Sequence, residues 1–108
     1  MNSVVNSGEC YRDYGSGLLR DKADRLWNVN SVEACIKHCE GYKLAGLGDS
    51  SACHCGYTAP PSTNVVPLGE CNMKCPGNQS QFCGGSWRMN IYHLGEKLSL
   101  GTICSVAL

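Results

Sequence analysis

The sequence predicts a small, disulfide-stapled domain of mixed helix and strand. Three observations predict it. Nine cysteines fall in 108 residues, a density characteristic of short secreted scaffolds. Val, Ile, Leu and Phe number only 21, a thin core for this length, so cross-links carry part of the stability. One segment has helical periodicity, and several short runs alternate in the manner of strands.

The helix is expected over Val32–Glu40. Val32, Cys35, Ile36 and Cys39 recur at i, i+3, i+4 and i+7 and form one apolar face. Asn30 is the expected cap, with Glu33 three residues on completing a capping box. Glu33 and Lys37 form a favourable i,i+4 pair, and Gly41 is the stop signal. Both helix cysteines therefore face the core. Strands are expected at Glu9–Asp13, Lys43–Leu47, Ala52–Gly56 and Trp87–His93. Cys53 and Cys55 share one strand face and His54 takes the other. In the last strand Trp87, Met89 and Ile91 alternate with Arg88, Asn90 and Tyr92. Pro60, Pro61 and Pro67 make 59–69 a loop rather than a central strand. Residues 1–8 read as a lead-in, 9–93 as the domain and 94–108 as a tail or an extra strand.

Composition excludes several functions. Nine Lys and Arg balance nine Asp and Glu, and no basic block exists to track a phosphate backbone, so no nucleic-acid partner is expected. No apolar run approaches a membrane span. The opening MNSVVNSG has no apolar leader, yet the cysteine density argues for an oxidising compartment. The expectation is a secreted, extracellular chain whose signal peptide is not part of this sequence.

Two cysteines on a helix face and two on a strand face admit disulfides or a thiolate zinc site. Cys-x-Cys is tight for two ligands of one tetrahedral ion, and Cys10, Cys71, Cys75 and Cys83 would remain unexplained, so disulfides are the favoured reading. His38 and His54 are read as a solvated helix histidine and an outward strand histidine rather than as ligands or bases. No catalytic motif appears, and the carboxylates Asp13, Asp21, Asp24 and Asp49 show no paired spacing of the glycosidase kind. The chain is therefore read as non-catalytic and without a metal or other cofactor.

Gly8-Glu9-Cys10-Tyr11-Arg12-Asp13, Ser31–Cys39, Gly41–Gly46, Cys53-His54-Cys55-Gly56 and the block from Cys71 through Cys75-Pro76-Gly77-Asn78 to Cys83-Gly84-Gly85 together resemble a WSC domain. The resemblance extends through Arg88 and Tyr92. Trp27, Tyr57 and Cys104 depart from the family's pattern. The resemblance implies an α+β fold of the PAN/apple kind, one helix packed on a small antiparallel sheet. It also implies the pairing Cys10–Cys71, Cys35–Cys53, Cys39–Cys55 and Cys75–Cys83. In the chain-entropy treatment the longest loop is worth about 4.3 kcal/mol and the shortest about 2.6.

The same resemblance implies a carbohydrate-binding, lectin-like module for a cell-wall or extracellular glycan. A protein-interaction module of PAN/apple type is the alternative. Sugar recognition needs an aromatic face and polar groups for hydroxyls. Trp27, Tyr42, Tyr57, Trp87 and Tyr92 are the aromatic candidates; Asp49, Asn78, Gln79 and Arg88 are the polar ones. Core packing is the competing reading for Trp87, Tyr42 and Tyr92. Asn78-Gln79-Ser80 is also an N-glycosylation sequon. Cys104, left over from the eight-cysteine framework, is expected to link two chains as a homodimer or to remain a free thiol.

Overall fold

The computed structural model describes residues 8–13 and 19–94. Strands β1 (Glu9–Arg12), β2 (Lys22–Arg25), β3 (Leu44–Gly48), β4 (Ala52–Gly56), β5 (Val65–Val66) and β8 (Arg88–His93) form one antiparallel sheet in the order β2-β4-β3-β8-β1-β5. Strands β6 (Lys74–Cys75) and β7 (Asn78–Phe82) form a separate hairpin. The single α-helix, α1 (Val32–His38), packs on β3 and β4. This is the expected α+β arrangement of one helix on an antiparallel sheet. All four disulfides pair as the resemblance implied.

The cysteine geometry explains the layering. Cys35 on α1 and Cys39 at its C-cap lie one turn apart, and Cys53 and Cys55 lie two apart on β4, so both pairs meet face to face. All four are completely buried and pack with Ile36, Ala45 and Leu47. Leu26, Val32, Tyr42, Tyr92 and Leu94 close the margin of this cluster. On the other side of the sheet Tyr11, Leu19, Leu44, Met89 and Ile91 form a second, smaller cluster. Cys10, Val66 and Cys71 form a third beside β1.

Several elements differ from expectation. The cap of α1 is Ser31, whose Oγ accepts from Ala34 N–H at 3.0 Å. Asn30 is fully buried instead, and its Nδ2 donates to the carbonyls of Ser50 and Ala52. Glu33 turns to accept both Gln81 Nε2 contacts, while Gln81 Oε1 accepts from Val32 N–H at 2.9 Å, so β7 completes the cap from outside the helix. The helix stops at His38, two residues short of Glu40, and the chain turns through Gly41 at φ 93°.

Trp87 does not join the buried face of β8. It lies outside the strand at φ 56° and is 64 % exposed, because the Gly85–Arg88 bridge folds the chain into a turn there. Gly84 makes that turn feasible: it sits at φ 75° against the backbone of Leu47 and Gly48, where a Cβ would collide. Asn90, on the helix side of β8, is buried. Its Oδ1 accepts from Gly84 N–H at 2.7 Å, and its Nδ2 donates to the Gly8 carbonyl at 2.9 Å. Val65–Val66 pairs with β1 at the sheet edge, the place in a sheet that prolines tolerate. His38 is half-buried rather than solvated, with Nε2 2.8 Å from Asp24 Oδ2.

Reduction of the disulfides is expected to unfold the domain near 37 °C, since each bridge contributes about 2–4 kcal/mol and small domains hold only about 5–15 in total. Thermal melting followed by circular dichroism with and without reductant measures this. A shift of only a few degrees would contradict it.

Candidate functional site

The strand register assigns residues to the open face of the sheet, away from α1. Ala52 and His54 alternate with Cys53 and Cys55 on β4, and they pair with Arg25 and Ala23 of β2. Gly48 of β3 pairs with Met89 of β8. Large side chains at the rim surround a glycine and an alanine, and the result is a cleft of about 370 Å³. Asp13, Arg25, Gly48, Asp49, Ala52, His54, Gly85, Ser86, Trp87, Arg88 and Met89 line it.

One wall is an ion pair. Arg25 Nη2 lies 2.8 Å from Asp49 Oδ2, and Arg25 Nη1 donates to Ser51 Oγ at 2.6 Å. Both charged side chains remain substantially exposed, so the pair adds little stability, about 0–1 kcal/mol. It stays within reach of a ligand. The guanidinium also lies 5.9 Å from the ring centroid of Trp27. Asp49 and Ser50 both take left-handed backbone, at φ 49° and 67°. The Asn30 amide that grips Ser50 and Ala52 holds this turn in place.

Trp27 and Trp87 share an unusual state. Both sit at left-handed φ, 47° and 56°, and both leave about two thirds of their surface in solvent, 66 % and 64 %. A bulky residue in this region costs on the order of 1 kcal/mol or more. Rings so exposed return little burial energy to offset that cost. The chain around Trp87 fixes it, since Trp87 C=O accepts from Asp13 N–H at 2.9 Å and from Arg88 Nη1 at 2.8 Å.

His54 faces the cleft, where desolvation pushes its pKa below the ordinary value. Arg20 and Arg25 act in the same direction, while Asp13 and a backbone hydrogen bond at Leu19 oppose. The shift favours the neutral imidazole, and its buried Nδ1 has no hydrogen-bond partner among the described residues.

The structure gathers some of the candidate residues and disperses others. Asp49, Trp87 and Arg88 border the cleft, with Trp27 stacked behind Arg25. Arg88 Nε is engaged by Glu70 Oε1 at 2.7 Å. Tyr42 and Tyr57 pair with centroids 5.0 Å apart. They flank the Leu44–Gly56 end of the β3–β4 pair, opposite the Gly48–Ala52 end that borders the cleft. Tyr92 lies on the helix side, half-buried, its pKa raised by desolvation and then by Glu33. Asn78 and Gln79 belong to the β6–β7 hairpin, where Gln79 Nε2 donates to Cys75 C=O. Arg25 and Ser86 were not anticipated. Asp13 was noticed only as one carboxylate among several, and His54 as an outward imidazole. Cys104 lies outside the described residues.

A second groove, of about 500 Å³, is apolar and includes Leu68, Phe82, Tyr92 and Val32 among its lining. Leu68 and Phe82 are exposed there. The sulfurs of Cys35, Cys39 and Cys53 cluster closely enough to suggest a metal site, but each is engaged in a disulfide. No helix among the described residues is long and apolar enough to cross a membrane.

Comparison with known proteins adds the family. The WSC domain model matches residues 8–85. The chain belongs to the WSC family. Among its relatives, xylosyltransferase oxt of Drosophila melanogaster is 43 % identical over 106 residues, covering 88 % of this chain and 12 % of that protein. A WSC domain-containing protein of Arthroderma benhamiae is 34 % identical over 83 residues, covering 77 % of this chain and 12 % of the relative. Human Kremen protein 2 is 33 % identical over 88 residues, covering 79 % and 19 %. The chain thus spans under a fifth of the length of these relatives. The likeness to the transferase covers this WSC portion and not the bulk of that enzyme.

The lowered His54 pKa has a pH consequence. As pH falls, the unfolded chain protonates this histidine first, so the folded state loses stability. The contribution is complete above the ordinary histidine value of about 6.5 and is lost on descending from there toward the lowered folded value. Urea midpoints of wild type should fall between pH 7 and pH 5 more steeply than those of His54→Gln. Equal slopes would remove His54 as the cause.

Proposed function

We propose that this WSC domain is an extracellular, non-catalytic carbohydrate-binding module, and that the open-face cleft between Arg25 and Trp87 holds the sugar. The single observation carrying this reading is the pair of exposed tryptophans held at left-handed backbone beside the Arg25–Asp49 pair. Strain without burial is expected where function, not folding, keeps a residue. Pyranose rings offer apolar C–H faces that stack on indole, and hydroxyls that bond to a carboxylate, a guanidinium or a neutral imidazole. Arg25, Asp49, His54 and Ser86 supply those polar groups around the cleft. Asp49 is paired with Arg25, and among the described residues no second carboxylate is paired with it across the cleft in the glycosidase manner. The disulfide framework supports an oxidising, extracellular setting.

The apolar groove at Leu68, Phe82 and Tyr92 supports a second reading, contact with a protein partner, because aromatic and aliphatic anchors on an exposed rim suit such contacts.

Retention on immobilised polysaccharides and a glycan array test the first reading. Wild type should bind one glycan class in the presence of chelator and release no reducing sugar. Trp87→Gly and Arg25→Ala should each weaken binding by about tenfold or more, equivalent to about 1.4 kcal/mol. Trp87→Gly should melt no lower than wild type, since glycine relieves the left-handed backbone. Unaltered binding by both variants would overturn the assignment. Failure on all glycans, with capture of a protein partner that Phe82→Ser abolishes, would favour the second reading.

A further inference from the structure

We infer that Asn78 is an N-glycosylation site, with an N-linked oligosaccharide standing on the rigid β6–β7 hairpin. The inference rests on the extracellular reading above only in requiring passage through a secretory compartment. Asn78-Gln79-Ser80 is the one Asn-x-Ser/Thr triplet in the sequence, and no proline follows it. The side-chain geometry suits the chemistry. Asn78 Oδ1 accepts from Ser80 N–H at 3.0 Å and from Ser80 Oγ–H at 2.6 Å. Both bonds fall on the carbonyl oxygen and leave Nδ2 with no hydrogen bond among the described residues. Gln79, between them, is exposed and directs its own amide to Cys75 C=O at 3.1 Å. Ser80 is exposed and Asn78 partly so.

The hairpin is a fixed mount. Cys75 is bonded to Cys83, and Gly77 N–H donates to Asn30 C=O at 2.8 Å. A Cβ on Gly77 would stand 2.5 Å from the Val29 carbonyl oxygen, so the turn presses directly against Val29–Asn30. Val29 is 67 % exposed. Val29 is thus an exposed apolar side chain on the segment against which the hairpin turn packs. Neither Asn78 nor Val29 lines the cleft, so the modification and the proposed ligand occupy separate surfaces.

The transfer balances with a lipid-diphosphate-linked oligosaccharide as donor. Nδ2 of Asn78 forms a bond to the anomeric carbon, and the bond from that carbon to the diphosphate oxygen breaks. The lipid diphosphate leaves with the electron pair, and the amide gives one proton to a base of the transferring enzyme.

The full chain, directed by a secretory leader and secreted from animal cells, tests this by intact mass and peptide mapping. Wild type and Ser80→Thr should carry a glycan mass that peptide-N-glycosidase removes, leaving aspartate at position 78. Ser80→Ala and Asn78→Gln should lack it. Wild type secreted with all four disulfides formed and Asn78 unmodified would overturn the inference. If a variant fails to be secreted, the peptide map of wild type alone decides. Glycan-array binding does not enter this readout, so failure here is distinct from failure of the carbohydrate-binding reading.

Discussion

Two adjacent disulfides, Cys35–Cys53 and Cys39–Cys55, impose the constraint on which the rest of the structure depends. They join a seven-residue helix and its C-cap residue Cys39 to one face of a five-residue strand. A helix this short would be marginal alone. The sulfurs replace an aliphatic layer that a chain with so few large apolar residues cannot supply. Once α1 is fixed to the Cys53 and Cys55 side of β4, the strand period of two sends Ala52 and His54 to the other side. The cleft therefore follows from the staple: the helix covers one face of the sheet, and among the described residues part of the opposite face remains open around Gly48.

Two buried asparagines give the cleft in this frame its defined geometry. Asn30 bonds the turn that carries Asp49, and Asn90 bonds the glycine turn that leads to Trp87. Each sits in the core and is completely or almost completely buried. Loss of either amide would leave backbone groups without partners, which costs about 1–3 kcal/mol for each buried group. Both walls of the cleft thus hang on core amides rather than on surface contacts. The same economy appears at the helix start, where Gln81 of β7 satisfies Val32 N–H and pairs with Glu33.

Much of this was legible in the sequence because cysteine carries position as well as type. Helical spacing at Cys35 and Cys39 and strand spacing at Cys53 and Cys55 gave the orientation of both elements. Strand β2, Lys-Ala-Asp-Arg, has no apolar alternation, being an edge strand whose charged side chains are partly or wholly exposed. Its Arg25 therefore gave no signal, although it forms one wall of the cleft. Asn30 and Ser31 are both capable caps, and only the tertiary contact with Ser50 and Ala52 separates their roles. Trp87 fitted the alternation of β8 and was nonetheless outside it, because the left-handed turn after Gly84 overrides the pattern. Of the polar candidates, Asp49 was found by residue type. Asn78 and Gln79, neutral amides chosen on the same ground, belong to the separate hairpin.

The measurement that tests the central claim most directly is a titration of isotope-labelled protein with an oligosaccharide of the class the domain retains, followed by backbone and side-chain NMR shifts. Perturbations should concentrate on Arg25, Asp49, His54 and the indole of Trp87, with Phe82, Leu68 and Tyr92 unmoved. Shifts confined to Leu68, Phe82 and Tyr92, with the Trp87 indole silent, would place the ligand on the helix side and contradict it.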